Sequence, residues 1–163
     1  MSTPTRIKRI TAPELAERKG GDPIVSREED GFQIGRAIMH GDAKDVLIVA
    51  NGVMVERALQ ASECLAEEDI ICGVTNLHTA KPIDTKAIVE AVQNVKLLVT
   101  VEEHTVSGGL GSAVLETLID HGVSLPRVVR MGIPDSFADD YGTQNSLLDA
   151  YGLSVDAIVA TIR

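Results

Sequence analysis

The stretch from Lys96 to Gly111 changes character three times. Leu97 to Val101 is an apolar, β-branched run of the kind found in a strand buried on both faces. Glu102, Glu103 and His104 follow, which puts two carboxylates and an imidazole at the strand's carboxyl end. Gly108, Gly109 and Gly111 then lead into an apolar-periodic segment that predicts a helix from Leu110 to His121, stopped by Gly122. A strand that ends in polar groups and turns through glycine into a helix marks an α/β protein, in which ligands gather at the carboxyl ends of strands.

The same alternation runs through the chain from residue 45 to 131. Asp45 to Ala50 is the clearest buried strand, and Asn51-Gly52 ends it. A helix is predicted from Val53 to Ala66, with Val55, Ala58, Leu59, Ser62 and Leu65 on one face. Ile70 to Leu77 is the next strand. Asp84 is the expected N-cap of a helix reaching Val92, with Ala87, Ile88 and Ala91 inward. Pro126 to Met131 is the last strand. Two short helices close the chain, Gln144 to Tyr151 and Val155 to Ile162, the second capped by Ser154. Upstream, Phe32 to Met39 reads as a strand and Thr11 to Arg18 as a short helix with a Thr cap and an early proline. Residues 1–31 form a leader, partly flexible, and residues 32–163 the ordered domain.

Composition narrows the partners. The chain has 163 residues, enough for one continuous core, with an aliphatic interior and no Trp. Its formal net charge of −9 argues against nucleic acid and anionic membranes, which need clustered Lys and Arg. Cys64 and Cys72 read as buried free thiols of a reducing compartment. With no signal-peptide core and no membrane-length apolar run, the reading is a cytoplasmic protein.

Each candidate site residue has a modest alternative role. Gly108-Gly109-Leu110-Gly111-Ser112 could cradle an anion at a helix N-terminus, but it has neither a dinucleotide-binding nor a P-loop spacing. Glu102 and Glu103 just upstream would repel a phosphate, so tight strand-to-helix packing is the stronger reading. Neighbours on a strand point to opposite faces, so these two glutamates cannot share one substrate as acid and base. One is expected to accept hydrogen bonds at the sheet end and the other to face solvent or a partner. His104 has no serine or cysteine nucleophile elbow near it and no metal-ligand spacing, which leaves an interface or hydrogen-bonding role. Asn51-Gly52 opens a second helix N-terminus that could take an anion, but the stronger reading is a glycine-dependent turn with a capping Asn.

Several of these segments, taken together and in order, resemble the transketolase C-terminal domain. They are Asp45 to Gly52, Asn76 to Asp84, Thr100 to Val114, Gly132 to Phe137 and Leu147 to Leu153. The domain is shared by transketolases, deoxyxylulose-phosphate synthases and the β-subunits of 2-oxo-acid dehydrogenases. The Glu-Glu-His-Thr stretch and the tail favour the transketolase branch, particularly its form split into two chains. The resemblance implies a three-layer α/β/α fold with a five-stranded mixed, mostly parallel sheet in the order 1-3-2-4-5, its first strand antiparallel. That order replaces the hairpin otherwise suggested for Phe32 to Ala50. It also puts a topological switch point between the ends of strands 2 and 4, with Asn51 and Gly52 beside Glu102, Glu103, His104, Gly108 and Gly109.

The resemblance further implies thiamine diphosphate and Mg²⁺ for the full enzyme, held by two other domains, and neither by this chain. It carries no catalytic, cofactor-binding or metal residue to any position here. The expectation is therefore a structural and assembly domain of a two-carbon ketol transferase, inactive alone. Its partners would be thiamine-binding domains or a catalytic partner chain, within a homo-oligomer such as a dimer. The switch-point residues would then form an interface. Two alternatives stand beside it: the C-terminal domain of a 2-oxo-acid dehydrogenase β-subunit, and a stand-alone nucleotide- or anion-binding regulatory module.

Overall fold

The computed structural model describes residues 31–136 and 141–163, so the helix expected at Thr11 to Arg18 lies outside the described residues. Among the described residues ten elements follow one another: β1 (Ile38–His40), β2 (Val46–Ala50), α1 (Met54–Ala66), β3 (Cys72–Asn76), α2 (Thr85–Val92), β4 (Leu97–Thr105), α3 (Leu110–Asp120), β5 (Arg127–Ile133), α4 (Gln144–Ala150) and α5 (Val155–Ile162). The strands form one sheet in the order β1-β3-β2-β4-β5. Only β1 is antiparallel, pairing with β3; the other pairs are parallel. The fold is the expected three-layer α/β architecture with a five-stranded mixed sheet.

β2 is buried at every position and lies at the centre of the sheet. Its side chains alternate between two helical layers. Leu47 and Val49, with Leu98 of β4, meet Ile88 and Val92 of α2 and Leu110, Val114 and Leu118 of α3. Ile48 and Ala50 point to the opposite face, where α1 packs against α5. Asp84 caps α2 as expected, accepting a bond from Ala87 N at 3.1 Å; its other oxygen accepts from Ala37 N at 2.9 Å and ties β1's approach to the domain. Ser154 caps α5 through Ala157 N at 3.1 Å. Gly122 and Gly152 end α3 and α4 at φ +65 and +72, a region that favours glycine.

Several expectations are corrected. The first strand is three residues long and not Phe32 to Met39, because the chain turns at Gly35, φ +79, where a β-carbon would meet Pro82 Cγ at 3.2 Å. β4 runs past Val101 to Thr105, with a register shift against β5 between those two residues, so Glu102, Glu103 and His104 lie within the strand. β5 begins one residue later than expected and ends at Ile133. On α1 the buried stripe is Met54, Val55, Ala58, Ala61 and Leu65, so Ala61 takes the place expected for Ser62. On α2 the fully buried positions are Ile88 and Val92, with Ala87 and Ala91 half-covered. Cys64 is exposed on α1, not buried; Cys72 is partly buried, and burial pushes its thiol up to about 11.

Candidate functional site at the carboxyl end of the sheet

Ala50 pairs with Val101, so the chain leaves β2 at Asn51 directly beside the point where β4 continues into Glu102. The connection from β2 leads towards β3 and that from β4 towards β5, on opposite sides. The switch point is therefore between Asn51-Gly52 and Glu102 to His104, the place that the family resemblance implies.

Glu102 is 1% exposed and turns back under α3. Its carboxylate accepts bonds from Leu110 N at 2.5 Å and Gly111 N at 2.9 Å, two of the N–H groups that a helix leaves without internal partners. The glycines are shaped around this side chain. A β-carbon on Gly109 would collide with Glu102 Oε2 and come within 2.7 Å of Thr105 O. One on Gly111 would approach Thr100 Oγ1 at 2.5 Å and Arg130 Cδ at 2.8 Å. The glycine turn thus serves close packing, and the place an anion would take at the α3 N-terminus is filled by a carboxylate of the chain itself. Gly108 adopts φ +75, and its N–H donates to Ser112 Oγ at 3.1 Å.

Glu103 faces outward. Both of its oxygens accept from Gln144 Nε2, at 2.7 and 2.9 Å. His104 is exposed, with Nδ1 3.2 Å from the Thr105 carbonyl. Across the crevice, Asn51 and Gly52 form a backbone turn. Asn51 O accepts from Met54 N and Gly52 O from Val55 N, both at 3.2 Å, and Gly52 has φ +55. The expected Asn51 side-chain cap is not formed: the N-cap of α1 is Val53, without a side-chain bond. The structure thus brings all seven candidate residues to one end of the sheet, but buries Glu102 and spends it on α3.

Two residues that sequence reasoning passed over complete the site. Gln144 starts α4 and holds Glu103. Arg57, in the first turn of α1, donates to Asp149 Oδ1 (2.6 Å), Asn145 Oδ1 (3.1 Å) and Leu153 O (2.9 Å). Short α4 is therefore bonded to both walls of the crevice. No local motif announces these contacts, which join positions far apart in the chain. A cavity of about 350 Å³ lies at the opposite, amino end of the strands, among Asp45, Asp69, Lys96 and Arg127, where Asp45 and Lys96 pair at 3.0 Å. Among the described residues no group of three His, Cys, Asp or Glu is placed to hold a metal ion, and no helix is long and apolar enough to cross a membrane.

Comparison with known proteins agrees with this architecture. The family model "Transketolase, C-terminal domain" matches residues 35–158. The chain is 41% identical over 143 residues to the 1-deoxy-D-xylulose-5-phosphate synthase of Gloeobacter violaceus, covering 88% of this chain and 22% of that protein. It is 40% identical over 148 residues to a putative uncharacterized transketolase family protein of Sinorhizobium fredii, covering 89% of this chain and 42% of that protein. Among solved structures, one described as a split gene transketolase, inactive beta4 tetramer, superposes with a TM-score of 0.78 at 39% identity, over 87% of this chain and 46% of the other. The chain thus spans less than half the length of these relatives. With the sheet order, the Glu102-filled glycine turn and these matches in hand, the chain belongs to the transketolase C-terminal domain family.

Proposed function

We propose that this chain is the C-terminal assembly part of a thiamine-diphosphate-dependent enzyme that transfers two-carbon ketol units between sugar phosphates, and that it is inactive alone. The observation that carries this reading is the family match across residues 35–158. At the α3 N-terminus the Leu110 and Gly111 N–H groups already donate to the Glu102 carboxylate, and the diphosphate of thiamine diphosphate would meet that charge there, which supports placing the cofactor elsewhere. In this reading the cofactor and its Mg²⁺ sit on thiamine-binding domains or a catalytic partner chain, within a homo-oligomeric cytoplasmic assembly. Residues 1–31 act as a leader to the domain at 32–163. Asn51, Gly52, Glu103 and His104 form the contact surface towards the thiamine-binding part; Glu102, Gly108 and Gly109 hold its shape.

The 41% identity to a 1-deoxy-D-xylulose-5-phosphate synthase supports a second reading within the same family, in which the complete enzyme forms that product. Both are tested by adding a chain that carries thiamine-binding domains of this family and following ketol transfer and 1-deoxy-D-xylulose 5-phosphate formation separately. The expected result is no turnover by either chain alone and one of the two activities on mixing. His104→Ala should weaken the mixed activity while leaving the unfolding midpoint in place, because the side chain is exposed. Turnover by this chain alone, with thiamine diphosphate and Mg²⁺, would defeat the proposal.

A further inference from the structure

The chain has four asparagines, Asn51, Asn76, Asn94 and Asn145, and the fold treats one of them differently. Asparagine is chemically labile because the backbone nitrogen that follows it can attack the side-chain amide. A hydrogen bond from that N–H holds the nitrogen back, and in three cases the bond is made. Leu77 N donates to Ala50 O at 2.8 Å, Val95 N to Val92 O at 3.5 Å and Ser146 N to Thr143 Oγ1 at 3.2 Å. Asn76 is also buried within β3, and Asn145 Oδ1 accepts from Arg57 Nη2 at 3.1 Å.

Asn51 has none of these restraints. Among the described residues nothing accepts from the Gly52 N–H, and the Asn51 side chain caps no helix. The turn is pinned through its carbonyls, Asn51 O to Met54 N and Gly52 O to Val55 N, which leaves the N–H between them free. Gly52 is exposed, and beyond its chain neighbours no heavy atom lies within 4 Å of where its β-carbon would be. Glycine also puts no side chain in the way of the attack.

We propose that Asn51 is a site of spontaneous deamidation, and that it alone of the four asparagines changes in the folded chain. The Gly52 nitrogen, losing its proton to hydroxide, bonds to Asn51 Cγ. The bond from Cγ to the side-chain nitrogen breaks, and that nitrogen leaves as ammonia. Water then opens the five-membered imide at either carbonyl. Opening at Cγ gives aspartate; opening at the backbone carbonyl gives isoaspartate, whose chain runs through the side-chain methylene. No oxidant, reductant or cofactor takes part. Either product carries a carboxylate where the neutral amide stood, on the wall of the crevice across from Glu103.

The chemistry needs no partner chain, so it goes beyond the assembly role above, and its failure leaves that role standing. The full chain is held at neutral and at mildly alkaline pH, and each asparagine is followed by peptide mass mapping. Expected is a species one charge more negative than the parent, changed at Asn51 and growing faster at the higher pH, while the other three asparagines stay intact. Enzymatic carboxyl methylation should detect isoaspartate at the same position. Asn51→Gln, which would have to close a six-membered ring, should lose the acidic species and keep the fold, since the side chain caps nothing. In guanidinium chloride the bond from Ser146 N to Thr143 is gone, and Asn145 should react severalfold faster than in the folded chain. An intact Asn51 in the folded chain, an equal change at Asn145 there, an acidic species that persists in Asn51→Gln, or an Asn145 no faster when unfolded would overturn the proposal.

Discussion

Glu102 illustrates how one side chain can decide what a motif means. A glycine-rich turn at a helix N-terminus offers backbone N–H groups to an anion, and in this protein the anion is covalently part of the chain. Glu102→Ala should destabilise the protein by about 3 kcal/mol, because two buried N–H groups lose their acceptor. Gly109→Ala should cost about 2 kcal/mol by forcing a methyl group into the same carboxylate and the Thr105 carbonyl. The two changes compete for one space, so the double variant should cost about 1 kcal/mol less than the sum. Urea unfolding of the four proteins measures this coupling; strict additivity would mean that the methyl group and the carboxylate do not meet. The sequence shows two glutamates before the glycines and the alternation that separates them. Which of them turns inward depends on how far β4 runs, and its overrun to Thr105 has no apolar signal.

At the scale of elements, the strands and caps that depend on local chemistry are readable from the sequence. β2 and β4 are continuous apolar runs, Asp84 and Ser154 precede their helices, and Gly122 and Gly152 follow theirs. Elements defined by distant contacts are not. The exposure of Cys64 and the burial of Ala61 on α1 depend on where the sheet and α5 lie, and the attachment of α4 depends on Arg57 across the crevice. The Arg57 side chain is 12% exposed, whereas that of Asp149 is 55% exposed. The bonds to the Leu153 carbonyl and Asn145 should therefore outweigh the ion pair, which solvent screens. Arg57→Ala should destabilise the protein by about 2–3 kcal/mol and speed amide exchange in α4 before the sheet, while Asp149→Ala should cost under about 1 kcal/mol. Equal losses in the two variants would assign the attachment to the ion pair instead.

For the whole molecule, the response to acid is set by a few groups whose proton affinity changes on folding. Burial holds the His78 imidazole below its ordinary value of 6.5, and a hydrogen bond with the Arg36 backbone offsets this only in part. The unfolded chain thus takes that proton first as pH falls. Stability is unaffected by this group above 6.5 and declines from there towards its lowered folded value. Asp45 is held below 3.8 chiefly by the Ile71 N–H, with Lys96 adding to it, and Glu68 below 4.5 chiefly by its bond with Arg163. Their stabilisation is present above those values and is lost as pH falls through the lowered ones. Glu68 is exposed and Asp45 only partly buried, so this second loss is weakened by solvent screening. The expected profile is a plateau above neutrality, a first decline beginning near 6.5 and a second, shallower one in the carboxylate range. His78→Asn cannot titrate and should abolish the first decline while leaving the second. Urea midpoints from about pH 8 to about pH 3 decide it, since a variant that still weakens between about pH 6.5 and pH 5 would remove His78 as the cause.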